Sequence, residues 1–150
     1  MKKLMFFFFL FVSVFSCSKE KTKEFRSLNI TTVKLDLYPF KNNGVDWDAF
    51  STFPDPYFIF KKENIQDIDF QSAYKDEAGQ GEAFWTTDLV CFSEQNAFFQ
   101  FFDEDGATDD LIDVVYLNQE DLKEKGYPEK IVLSGLSGMR VVLTIEYLFQ

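Results

Sequence analysis

Residues 98–112 read FFQFFDEDGATDDLI, an apolar run that ends in a cluster of carboxylates and then resumes. Five acidic side chains fall within eight positions, and no lysine or arginine occurs between Lys75 and Lys123. Carboxylates at this density repel one another unless they are solvated or matched by a cation. Because hard carboxylate oxygens suit calcium better than a transition metal, the pattern indicates either a solvated turn or a calcium site.

Short apolar or alternating runs recur on both sides of this cluster. They predict strands at 30–37, 57–60, 65–70, 83–92, 97–102, 111–117, 130–133 and 139–149. One helix of about seven residues is expected after Asn118, which can cap it, and Gly126 and Pro128 end it. The sequence therefore predicts an all-β fold, an eight-stranded antiparallel β-sandwich with one short connecting helix.

The amino terminus has the pattern of an export signal. Two lysines precede an apolar run, residues 4–15, that is too short to span a bilayer. Residues 13–17, SVFSC, resemble the lipobox of bacterial lipoproteins, which implies a signal peptide over 1–16 and a lipid on Cys17. An ordinary signal peptide with a free cysteine is the alternative. We expect a polar tether over 17–27 and the sandwich domain over 28–150.

Residues 18–21, SKEK, also resemble the tag that follows the lipid-bearing cysteine in surface-exported lipoproteins of Bacteroidota. A solvated tether explains these residues equally well. Together with the lipobox, they imply a protein anchored to a bacterial outer membrane, on its periplasmic or cell-surface face.

The net charge and the absence of certain residues argue against two classes of function, nucleic-acid binding and catalysis. The 15 basic residues fall to 13 without Lys2 and Lys3, against 25 acidic residues, which gives a net charge of −12. This charge disfavours nucleic acid as a partner. The chain has no histidine and no Gly-x-Ser-x-Gly motif, so we expect that the protein is not an enzyme. Cys91 lies in an apolar run and is expected to be a buried core residue outside any disulfide.

Three motifs are similar to those of the C2 domain family. They are Asp55-Pro56-Tyr57 at the start of a predicted strand, DED at 103–105 after an apolar strand, and DDLI at 109–112 leading into the next strand. Phe84-Trp85-Thr86 resembles the aromatic head of that family's fourth strand. The resemblance covers 30–149, and acidic loops after the first and fifth strands imply the circular variant called type II.

The resemblance also implies a ligand set. Five aspartates would hold one to three calcium ions: Asp48, Asp55, Asp103, Asp105 and Asp110. Asp46 and Asp109 are the alternatives to Asp48 and Asp110. An EF-hand is excluded because, counting Asp103 as loop position one, the glycine falls at position four instead of six and Val114 occupies the place of the bidentate glutamate.

Three aromatic residues share the first acidic loop: Trp47, Phe50 and Phe53. They are either wedges that enter a membrane or a partner, or plugs for the open end of the sandwich, and we favour plugs because large aromatics usually bury. The functional expectation is a lipid-anchored module that binds calcium and, through it, anionic lipid, glycan or protein. The alternative is a structural or assembly lipoprotein in which a metal-free sandwich binds proteins.

Overall fold

The computed structural model describes residues 23–40, 44–47, 53–106 and 108–150. The predicted signal peptide, Cys17, Asp48 and Phe50 lie outside these ranges, so their assignments remain predictions. None of the helical residues in these ranges has the length and hydropathy that a membrane-spanning helix requires.

The described residues form eight strands and one helix, and the strands make two antiparallel sheets, which confirms the predicted β-sandwich. The elements are β1 (Phe25–Leu37), β2 (Pro56–Lys62), β3 (Phe70–Gln71), β4 (Phe84–Phe92), β5 (Ala97–Asp103), β6 (Asp110–Leu117), α1 (Gln119–Glu124), β7 (Lys130–Ser134) and β8 (Arg140–Phe149). The strand order is β4-β1-β8-β7 in one sheet and β3-β2-β5-β6 in the other. Strand alternation places one side chain in two on the inner face of each sheet.

The core lies between the two sheets and is rich in aromatic rings. Phe58, Phe60, Phe99 and Phe101 are fully buried on β2 and β5, and the facing sheet contributes aliphatic side chains from β1 and β8. All the buried hydrophobic residues of the described chain lie between Leu28 and Ile145. A chain that begins at Ser18 therefore retains this whole core.

The two ends of the sandwich differ. Strands β1, β5 and β7 run toward one end, where the loops after β1 and β5 carry the aspartates; we call it the acidic end. At the opposite end Glu24 and Gln150 exchange backbone hydrogen bonds, each 3.0 Å, so both ends of the described chain lie there. We call it the terminal end.

The third predicted strand is wrong over most of its length. A turn at 63–64 is followed by an irregular loop over 65–69, where Ile65 and Ile68 are exposed, and only Phe70 and Gln71 pair with β2. Asn64 adopts a positive φ of 66°, which turns the chain, and the Asp69 carboxylate accepts a hydrogen bond from the Lys62 backbone. Local turn chemistry thus overrides the alternating pattern.

The first strand begins at Phe25, five residues before the predicted start and ahead of the predicted domain boundary at 28. Arg26 and Ser27 interrupt the apolar alternation, but β1 pairs with both β4 and β8 in this region. Pairing on both sides satisfies the backbone, so the strand does not require an apolar residue at every second position.

The helix and the cysteine follow the prediction. Asn118 caps α1 by accepting a hydrogen bond from the Glu120 backbone, and Gly126 ends it with a φ of +74°. Cys91 is free and fully buried on β4. Burial raises the pKa of its thiol to about 12, so it is an inert core residue.

Candidate functional site

Strand pairing brings the two acidic motifs together at the acidic end. Asp103, the last residue of β5, pairs with Pro56 of β2 on one side and with Asp110 of β6 on the other. Residues separated by about fifty positions in the sequence are therefore neighbours across one sheet. The Asp55-Pro56-Tyr57 motif and both halves of the 103–110 cluster share this edge.

Asp103 joins the first acidic loop to the second. Its side chain is fully buried, and its Oδ1 accepts a hydrogen bond of 2.6 Å from the Asp55 backbone N–H. The Glu104 N–H donates in return to the Asp55 carbonyl at 3.2 Å. A buried carboxylate is stabilised by such donors. The two loops are consequently held in a fixed relation.

Asp55 also orders a third loop, residues 72–83. Its Oδ1 accepts a hydrogen bond from the Glu77 backbone N–H, where Glu77 has a positive φ of 42°. The same loop is bound to the end of β1, since the Tyr38 hydroxyl donates to the Ala78 carbonyl at 2.7 Å. Asp55 therefore serves the local fold as well as being a candidate ligand.

Asp109 and Asp110 have different surroundings. The Tyr57 hydroxyl donates a 2.6 Å hydrogen bond to Asp109 Oδ2, and the Tyr57 ring stacks on Phe102 with centroids 5.4 Å apart. Asp110 is instead the first residue of β6, directly beside Asp103. One Asp109 oxygen is therefore occupied by Tyr57, and Asp110 lies next to Asp103 across the sheet.

The remaining candidate ligands, Asp46, Asp48 and Asp105, belong to the two acidic loops. Asp105 and Asp46 are exposed, and Asp48 lies outside the described residues. Among the residues that the structure describes, no three acidic, cysteine or histidine side chains are grouped closely enough to hold a metal ion. The carboxylate donors fit the chemistry of calcium, but the described residues alone do not form a complete coordination shell.

The interpretation of the loop aromatics as plugs holds for Trp47. Its side chain is buried, and its indole N–H donates to the Pro39 carbonyl at 2.8 Å. Phe53 is 37% exposed, and Phe50 lies outside the described residues. Trp85, from the predicted head of β4, is also buried and donates to the Ala73 carbonyl at 2.7 Å, while Phe84 beside it is exposed.

Exposed apolar side chains at the acidic end were not predicted. Phe40 is 67% exposed, Val45 is 69% exposed, and Leu136 in the β7–β8 turn is fully exposed. Exposed apolar groups of this kind are candidate contacts for lipid or protein. Ile68, Phe92 and Leu148 are exposed to a similar degree at the terminal end. The signal in the sequence was Leu136 itself, an apolar residue in the turn sequence GLSG at 135–138.

The Tyr57–Asp109 bond predicts a specific alkaline transition. Burial, the hydrogen bond to Asp109 and the nearby Asp109 and Glu104 charges raise the pKa of Tyr57 to about 12, above its unfolded value of 10.0. The stability from the protonated phenol is therefore present below pH 10 and is lost as the pH rises through 12. We expect urea unfolding midpoints to fall more steeply from pH 9 to 12 in the natural chain than in Tyr57→Phe.

Tyr38 and Tyr147 also have a pKa raised to about 12, and both remain in the Tyr57→Phe variant. They make the same contribution to both curves. The difference between the curves therefore isolates Tyr57, and parallel curves would show that its phenol is not held by Asp109.

The two sheets, their order and the acidic loops at one end define a C2-like β-sandwich. A solved C2 domain matches with a TM-score of 0.55 and 12% identity, over 81% of this chain and 97% of that one. The calcium-bound tandem C2 domains of extended synaptotagmin 2 match with a TM-score of 0.52 and 18% identity, over 83% and 45% of the two chains.

Human GIVD cytosolic phospholipase A2 is similar in fold as well, with a TM-score of 0.54 and 11% identity. The match covers 86% of this chain but only 18% of the phospholipase. No protein-family profile matches the chain, and no curated protein is similar to it. The similarity to these solved structures concerns the fold.

Proposed function

We propose that this chain is an exported, lipid-anchored, non-enzymatic module of the type II C2 kind, which binds calcium through its aspartate loops. The observation that supports it best is the connection of the two loops at the acidic end, where Asp103 accepts the Asp55 N–H at 2.6 Å. Asp48, Asp55, Asp103, Asp105 and Asp110 would hold one to three ions. Bound calcium would neutralise these carboxylates and bridge them to an anionic group.

The apolar groups at the acidic end favour a lipid surface or an apolar protein surface over a glycan. Phe40, Val45 and Leu136 are all more than half exposed there. The chain's net negative charge opposes direct attraction to anionic lipid. Calcium would therefore be required before anionic lipid binds.

The positions of the ends support a particular orientation. If Cys17 carries a lipid, the anchor precedes the terminal end, and β1 spans thirteen residues from there toward the acidic loops. At about 3.3 Å per residue, this strand separates the two ends by roughly 40 Å. The acidic end would then face away from the protein's own membrane.

Calcium is expected to raise the melting temperature of a soluble chain that begins at Ser18. A ligand that binds only the folded state at 100 times its Kd adds about 2.7 kcal/mol, or several degrees for a domain of this size. The measurement is a melting curve in EDTA and in millimolar calcium. Asp105→Asn/Asp110→Asn should lose the shift.

Asp67→Asn/Glu124→Gln is the matched control, because it removes two exposed acids at the terminal end and should keep the full shift. If calcium shifted the melting temperatures of Asp105→Asn/Asp110→Asn and of this control equally, it would act through general charge screening. Vesicles with and without phosphatidylserine then test the partner, and Leu136→Ser should weaken calcium-dependent binding.

The second candidate is a metal-free assembly lipoprotein that uses the same sandwich to bind proteins. Internal hydrogen bonds favour it: Asp55, Asp103 and Asp109 each have one oxygen occupied by a donor of the protein. This role predicts that calcium does not raise the melting temperature of the natural chain or of either double variant.

A further inference from the structure

Strand β8 extends beyond its partner β7 at the terminal end. Their pairing ends with Lys130 opposite Thr144, followed by one bond of 2.8 Å from the Ile145 N–H to the Glu129 carbonyl. Tyr127 is the next residue whose N–H would face β8, but it has a positive φ of 57° and donates to the Leu122 carbonyl at 2.8 Å instead, so the ladder ends. Within the described ranges, no strand pairs with the last four residues of β8 on this side.

Along this part of β8, the backbone N–H and C=O groups of successive residues alternate between the β7 side and the β1 side. The Ile145 N–H faces β7, whereas Gln150 exchanges both its backbone bonds with Glu24 on the β1 side. In an antiparallel strand, alternate residues direct their N–H and C=O groups to opposite sides. Tyr147 and Phe149 therefore present theirs on the side of β7, while Glu146 and Leu148 face β1.

A cleft of about 530 Å³ lies along this edge. It is lined by Tyr127, Glu129, Thr144, Ile145, Glu146, Tyr147 and Phe149. Tyr127 and Phe149 are in edge contact with centroids 5.1 Å apart, and the Tyr147 hydroxyl donates to the Pro128 carbonyl at 2.8 Å. The cleft thus has an ordered aromatic wall next to an open strand edge.

The charge of the lining selects the occupant. Glu129 and Glu146 are both exposed, and among the described residues no lysine or arginine lines the cleft. Glu129 lies opposite Ile145 and shares its face of the sheet, whereas Glu146 lies on the other face. A segment with lysine or arginine at two adjacent positions would place one cation beside each carboxylate. An acidic segment would be repelled.

We propose that the β8 edge at 145–149 binds an extended basic segment of a protein partner, which pairs with the backbone of Tyr147 and Phe149 as an added strand. Main-chain hydrogen bonds would hold the segment, and the two glutamates would select its side chains. This proposal is independent of calcium and of the acidic end.

The probe is a dye-labelled hexapeptide in which two adjacent lysines are flanked by threonines, measured by fluorescence polarisation against the chain that begins at Ser18. We expect saturable binding that is lost when alternate peptide amides are N-methylated, since these can no longer donate. Glu129→Gln/Glu146→Gln should weaken binding about fivefold, from two exposed ion pairs. Asp67→Asn/Asp76→Asn, which removes two exposed acids elsewhere, should leave it unchanged.

Amide hydrogen exchange measured by NMR gives the second readout. In the free chain, the Tyr147 and Phe149 amides should exchange faster than those of Glu146 and Leu148, and the peptide should slow them. Binding that is insensitive to N-methylation, or no binding, would overturn the proposal. So would Tyr147 and Phe149 amides that are already protected in the free chain, because its own residues would then cover the edge.

Discussion

Phe58→Ala is expected to lower the free energy of unfolding by about 4 kcal/mol, within the range for a buried phenylalanine. The ring is fully buried, with centroids 5.2 to 5.7 Å from four neighbouring rings. These rings are Phe70, Trp85, Phe99 and Phe101. Removing it leaves a cavity that both sheets line, and urea unfolding followed by tryptophan fluorescence measures the loss.

Phe92→Ala is the matched control, since Phe92 is 57% exposed on the outer face of β4. The chemical change is the same, but no enclosed cavity forms, so we expect a cost of about 1 kcal/mol or less. Similar costs for the two variants would mean that the aromatic core is loosely packed and can collapse around the vacancy.

Gly135→Ala is expected to cost about 2 to 3 kcal/mol, because its new Cβ would collide with Asp113. An ideal Cβ at Gly135 would overlap Oδ2 of Asp113 and lie only 2.5 Å from its Cγ. The carboxylate cannot move away freely, since it accepts hydrogen bonds from the Val114 backbone and from both the backbone and the hydroxyl of Ser137. This contact joins β6 of one sheet to the β7–β8 turn of the other.

A double-mutant cycle identifies the cause. In an Asp113→Ala background, the carboxylate is absent and Gly135→Ala should cost well under about 1 kcal/mol. Burial alone would raise the pKa of Asp113, but the hydrogen bonds from Ser137 and Val114 outweigh it and hold the pKa below 3.8. The stabilisation from Asp113 is therefore present above about pH 4 and is lost as the pH falls through the lowered pKa. Additive costs in the cycle would contradict the collision.

Much of the fold could be predicted because strand periodicity and turn residues are local signals. The 97–102 and 111–117 runs match β5 and β6 to within one residue, and Asn118 caps α1 as expected. The 65–70 run failed because Ile65 and Ile68 alternate like strand residues although a turn at Asn64 leaves both exposed. Sequence alone does not distinguish an apolar residue that is buried from one that is not.

The candidate site was predictable in its location but not in its internal bonds. Asp-Pro-Tyr and the 103–110 cluster indicated the acidic end, and strand pairing does bring them together. Nothing in the sequence revealed that Tyr57 would engage Asp109 or that Asp103 would be buried against Asp55, because both contacts depend on the register between β2 and β5. The exposed Leu136 was not predicted at the acidic end because it lies in the β7–β8 turn of the other sheet, so its position there depends on how the two sheets pack.

The central position of β1 has a mechanical consequence. It is hydrogen-bonded to β4 on one side and to β8 on the other, and its first residue lies opposite Phe149. A pull between the amino terminus and the acidic end acts along the strand and loads both ladders in shear, so many bonds must break at once. A pull between the amino and carboxyl termini instead separates β1 from β8 by breaking their backbone hydrogen bonds one at a time. The sandwich therefore resists unfolding best when force is applied between the amino terminus and the acidic end.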